Sequence, residues 1–218
     1  MMKSLAELIN NDEPGIELVR EWLRDGALPY EILPPSVERD ERLVEMQVTT
    51  RSPMGAIVYE TGGILVDDGW LRILGSGCER MTRSLPQWNR DVLGDNRSAC
   101  LVADDVLGGF FALNGGAFGD DLGSLYYLPY DGINWQALEV GYSEFLAWCV
   151  TDKLNDFYGS DKFADWPERS GSITPDQCFS FYPFLWTEEG SVEASACKPV
   201  AALEALNLKL DLIDQLGE

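Results

Sequence analysis

The chain has 218 residues, 45% of them hydrophobic and 11% aromatic, enough to bury a core without disulfides or a structural metal, and unlike a disordered tail or a coiled coil. Its 16 Lys and Arg stand against 37 Asp and Glu, a formal net charge of −21, which argues against nucleic acid as a partner. His is absent, which removes the commonest acid–base catalyst and metal ligand.

The first forty residues read as helix followed by an irregular connector. Asp12 suits a helix cap, Pro14 the first turn and Gly26 the end, with Ile16, Val19 and Leu23 at helical spacing. Pro29, Pro34 and Pro35 make residues 27–40 a connector lying over the core. From residue 42 the pattern predicts strands at 43–50, 56–60, 64–66 and 70–74, with Gly62-Gly63 and Asp68-Gly69 as hairpin turns. After a polar, Arg-bearing stretch, further strands are expected at 100–103, 110–113 and 124–128. No crossover helix separates them, so the expectation is an antiparallel meander.

Helix returns near Tyr142, where Ser143 suits a cap and Phe145, Leu146, Cys149, Val150, Leu154 and Phe157 form one stripe. Residues 158–178 read as loop. In the aromatic run 179–186, Pro183 argues for an edge strand or an extended packing segment. Residues 200–216 read as a final helix with Leu203, Leu206, Leu210 and Ile213 on one face. The fold class is α+β, a mainly antiparallel sheet flanked by N-terminal and C-terminal helices, in one domain over residues 1–218.

Chemistry is thin on the ground. The five cysteines, Cys78, Cys100, Cys149, Cys178 and Cys197, are widely spaced and form no CxxC pair, which predicts a reducing compartment. Together with the missing His they predict no tightly bound metal or redox cofactor. Neither a signal peptide nor an apolar run of membrane-spanning length is evident, so the expected location is the cytoplasm, with no membrane partner. Ser76 and Cys78 sit in Gly75-Ser76-Gly77-Cys78, but Leu74 stands where a nucleophile elbow needs Gly, and no His can activate either. Arg80 and Arg83 offer one way to make Cys78 a reactive thiolate.

The charge is uneven. No Lys or Arg occurs between Arg97 and Lys153, a stretch holding Asp104, Asp105, Asp120, Asp121, Asp131, Glu139, Glu144 and Asp152. Such a field keeps a surface solvated and steers a basic partner. The candidate partner-binding residues are Asp104, Asp105, Asp120 and Asp121, with Trp88 in the Ser84–Asn89 stretch as an aromatic anchor. The competing reading is a small-molecule-binding protein or enzyme using a cleft near Gly75–Cys78 and Trp88.

Several landmarks, GWLRILGSG at 69–77, SLPQWN at 84–89, ADDVLGGFFALNGG at 103–116, LYY at 125–127, GYSEFL at 141–146 and FSFYPFLWTEEG at 179–190, resemble a family of uncharacterised bacterial proteins. Their order is also similar to the wider SUKH superfamily. That resemblance implies an α+β fold with a curved, mostly antiparallel sheet. It also implies a non-enzymatic module that binds protein, as immunity proteins do when they neutralise toxins. It carries over no catalytic or ligand residues.

Overall fold

The computed structural model describes residues 2–216. Two helices open the chain, α1 at Leu5–Leu8 and α2 at Gly15–Asp25. Helix α2 buries Ile16, Val19 and Leu23, and Pro14, not Asp12, is the residue before its first turn. The connector contains a strand, β1 at Tyr30–Leu33, hydrogen-bonded to β2 at Gly63–Val66.

Two expected strands are helices. α3 spans Arg39–Met46 and α4 spans Pro53–Glu60, covering the first half of the stretch read as a strand at 43–50 and all of the one at 56–60. The start of α4 is fixed by Ser52, whose Oγ accepts from the Gly55 N–H at 3.1 Å, and by Pro53, whose φ already suits a first turn. Gly55 through Val58 are all buried, so neither a period of 2 nor one of 3.6 is visible in them, and β-branched Ile57 and Val58 imitate a strand.

The remaining strands are β3 at Leu71–Leu74, β4 at Ala99–Asp105, β5 at Phe110–Asn114, β6 at Ser124–Leu128 and β7 at Gln136–Gly141. Helix α5, Leu85–Leu93, interrupts them where the sequence suggested a loop. All seven strands lie in chain order, each antiparallel to the next, in a sheet that does not close. The β2–β3 turn places Asp67, Asp68 and Gly69 at φ 55°, 52° and 81°, the left-handed region that Asp tolerates and Gly favours.

Alternation along the strands gives each face its own character. Ile73, Ala103, Phe111 and Tyr127 align on one face. There Phe111 stacks on Tyr127 at 4.5 Å and meets Phe145 of α6, Tyr142–Cys149, at 4.9 Å. Gly141, not Ser143, precedes α6, and its N–H donates to the Glu144 carboxylate. Helix α7, Lys153–Tyr158, adds Phe157 at 5.2 Å from Tyr127.

The opposite face carries Arg72, Asp104, Phe110 and Leu128. Beyond α8, Trp166–Arg169, the chain forms a two-stranded ribbon of β8, Gln177–Tyr182, and β9, Ala196–Ala201, which covers this face. Phe179 N–H donates to Val106 O at 2.7 Å and seats the ribbon. One buried apolar cluster runs from Ile16 to Leu206.

The last helix, α9 at Ala202–Leu216, buries Leu206 as expected, but Lys209 lies with it, 3% exposed. Its ammonium donates to Pro129 O and Gly132 O and sits 5.2 Å from the Trp186 ring, tying the helix to the β6–β7 connection. Burial pushes its pKa down from 10.5 to about 8. Between those two values the unfolded chain holds a proton that the folded chain has shed, so stability rises with pH there, by up to ~3 kcal/mol. Urea unfolding between pH 7 and 10 tests this: the wild type gains stability relative to Lys209→Met above pH 8, because tyrosine and cysteine titrations are common to both.

Candidate functional site

Asp104 and Asp105 end β4 side by side but point to opposite faces. Asp104 is 1% exposed. Its Oδ2 accepts from Arg72 Nη2 at 2.7 Å, and Arg83 Nη2 reaches both of its oxygens at 3.1 and 3.2 Å. Arg83 continues to Asp176 through Nε at 3.2 Å and to Pro175 O at 2.6 Å, while Arg72 Nη2 also donates to Gln177 O at 2.8 Å. The chain of charges therefore runs Arg72–Asp104–Arg83–Asp176 and fastens residues 175–177 to the sheet. The stretch from Arg97 to Lys153 lacks cations in sequence, yet arginines from outside it neutralise its first carboxylate in space.

Asp105 is fully buried. Its Oδ1 accepts from the N–H groups of Leu107 and Gly109, each at 2.9 Å, and its Oδ2 from the hydroxyls of Tyr127 at 2.7 Å and Tyr158 at 3.0 Å. Burial pushes its carboxyl above the usual carboxylate range, and those donors pull it back. A Cβ at Gly109 would lie 2.2 Å from both Asp105 Oδ2 and Tyr127 Oη, so only glycine fits there. Asp104 and Asp105 are internal ties, not partner contacts. Trp88 shares that fate: it is 3% exposed, on α5, with the Arg83 guanidinium 4.7 Å from its ring. The cause is Ser84, whose Oγ accepts from the Gln87 N–H and turns the expected loop into a packed helix.

The cleft expected near Gly75–Cys78 is filled by packing. Gly75 to Gly77 are buried, Ser76 donates to Thr61 O at 2.8 Å and accepts from the Ser36 N–H at 2.9 Å, and a Cβ at Gly75 would meet Gly63 N at 2.6 Å. Arg80 pairs with Glu31 and Arg83 with Asp104 and Asp176, so both guanidiniums near Cys78 are committed to carboxylates. A cleft of about 290 Å³ does exist over β3, lined by Arg72, Trp166, Ser170, Gly171 and Ile173–Pro175.

Asp120 and Asp121 are where the sequence placed them, exposed on the β5–β6 loop. Asn114 holds that loop: its amide donates to Gly119 O at 3.0 Å and to Asp121 Oδ1 at 2.8 Å, and its carbonyl accepts from Gly116 and Phe118 N–H. Tyr126 donates to Asp121 at 3.0 Å. Beside them Phe118 stacks on Tyr126 at 4.7 Å and meets Trp135 at 4.8 Å, and Leu122 is 70% exposed. Asp120, Asp121, Asp131, Glu139, Glu144 and Asp152 are all exposed, and among the described residues none joins an ion pair. The Phe118–Trp135 contact carries no local sequence signal, because it joins two loops seventeen positions apart.

The chain belongs to the family described as protein of unknown function DUF2625, which matches residues 5–205. It is 39% identical over 212 residues to the uncharacterized protein YbfG of Escherichia coli (strain K12), covering 97% of each chain. It is 38% identical over 189 residues to an uncharacterized protein of Haemophilus influenzae, covering 84% of this chain and 83% of that one.

Two substitutions test the internal ties. Asp104→Ala strands two buried guanidiniums and lowers the unfolding free energy by ~3–5 kcal/mol, part of which Arg72→Met in the same chain restores. Gly109→Ala forces Asp105 and Tyr127 apart and costs ~1–3 kcal/mol. Urea denaturation reads both, and an Asp104→Ala variant as stable as wild type contradicts the scheme.

Proposed function

We propose that this member of the DUF2625 family is a non-enzymatic, acidic protein-binding module that docks a basic partner on the face around the β5–β6 loop. The toxin-neutralising role of immunity proteins, implied by the resemblance to the SUKH superfamily, is the form of that function we favour. One observation carries the reading. Asp120 and Asp121, without a counter-charge, precede the exposed Leu122 on a loop that Asn114 holds in shape, and Phe118 of that loop joins Tyr126 of β6 and Trp135 of the β6–β7 connection in a half-exposed aromatic stack.

Each part of that face has a physical task. Exposed, unpaired carboxylates raise the rate of encounter with a cationic protein by a factor on the order of 10 to 1000 at low salt. Aromatic rings and a leucine supply the apolar contact that holds the complex once formed. Asp120 and Asp121 keep the role read from the sequence, and Phe118, Tyr126, Trp135 and Leu122 take the anchoring place first given to Trp88. A nuclease toxin is basic because it must hold nucleic acid, so an acidic module fits the same surface. The absence of His from the chain, and the engagement of the Ser76 hydroxyl by Thr61 and Ser36, support the non-enzymatic part.

The test separates rate from lifetime. Association with a captured basic partner, measured from low to high salt, slows steeply for the wild type and starts slow for Asp120→Lys/Asp121→Lys. Leu122→Ser shortens the lifetime of the complex instead, with the association rate little changed. A wild-type rate indifferent to salt, or a double variant that matches it throughout, sinks the proposal.

A further inference from the structure

The cleft over Arg72 has an unmet demand. Arg72 is 1% exposed, and its Nη2 serves both Asp104 and Gln177, but its Nε and Nη1 have no hydrogen-bond partner. Buried guanidinium N–H groups are rarely left unpaired, because the desolvation cost of each is not returned. Arg72 lines the cleft of about 290 Å³, near the lower end of the range of roughly 300–1,000 Å³ that holds small molecules. An oxygen acceptor brought into the cleft would meet the demand, and an ionised one does so best.

A second demand of opposite sign lies at the rim. Asp68 lines the same cleft from the β2–β3 turn, exposed, and among the described residues it joins no ion pair; its neighbour Asp67 is the one that pairs with Lys162. Arg80 and Glu31, also at the rim, satisfy each other. The open valences are thus donors at Arg72 and an acceptor at Asp68, and Trp166 and Ile173 add apolar lining to the same cleft. A ligand bearing net negative charge is opposed by a protein of net charge −21, whereas a zwitterion is not.

We propose that this cleft binds a small zwitterion of the α-amino-acid type, its carboxylate taken by Arg72 and its ammonium by Asp68. The site is separate from the acidic face and independent of the protein-binding reading.

Isothermal titration of the full chain with free L-α-amino acids tests it. At least one binds one-to-one with Kd below ~1 mM. Removing its ammonium by N-acetylation, or its carboxylate by amidation, weakens it at least about tenfold. Arg72 also anchors Asp104, so the informative variant is Asp68→Asn, which keeps a residue at home at positive φ. It weakens binding about tenfold at an unchanged melting temperature. Binding of no amino acid, equal binding of acetate or inorganic phosphate, or an Asp68→Asn variant of wild-type affinity overturns the proposal.

Discussion

The pair of carboxylates that closes β4 holds this structure together. Asp104 ties the sheet to the segment before β8 through two arginines, and Asp105 ties the β4–β5 turn to β6 and α7 through two tyrosines. A buried carboxylate is tolerated only when its lone pairs are met, and here each has its own full set of donors on its own face of the sheet. Gly109 belongs to the same constraint, since its missing side chain is what lets the Tyr127 hydroxyl reach Asp105.

That constraint redistributes the charge. Two acids drawn inside leave the other carboxylates of the 97–153 stretch exposed on the β5–β6 loop, the β6–β7 connection, β7, α6 and the turn after it, toward the opposite edge of the sheet from the cleft over Arg72. It also fixes the cleft, because Arg72 is held by one nitrogen and presents the others without partners. The acidic face and the cleft over Arg72 both reflect where the internal arginines are spent.

The edge strands are managed as the rest of the sheet requires. β1 and β7 flank the sheet with unpaired edges, and β7 carries Glu139 at φ 57° within an irregular register to β6. A charge and a distortion on an open edge discourage pairing with a second chain. The acidic surface thus has a protective use at β7 beside any use in binding.

Read alone, the sequence determined what local chemistry decides. The Asp-Asp-Gly turn fixed the β2–β3 hairpin and the aromatic runs marked β5 and β6, while the antiparallel class held even though α3, α4 and α5 lie between strands that the sequence pattern reads as following one another directly. Asp120 and Asp121 were legible as exposed because they sit in a Gly-rich loop. Tertiary structure decided the rest. Residues 56–60 are buried on every side, which erases the period that separates helix from strand, and Ser52 and Ser84 are capping signals whose strength depends on what packs above them. Whether an acid faces water or an arginine is a contact between positions tens of residues apart. Arg72 and Arg83 lie 32 and 21 positions from Asp104, so no reading of neighbours along the chain could place that carboxylate inside.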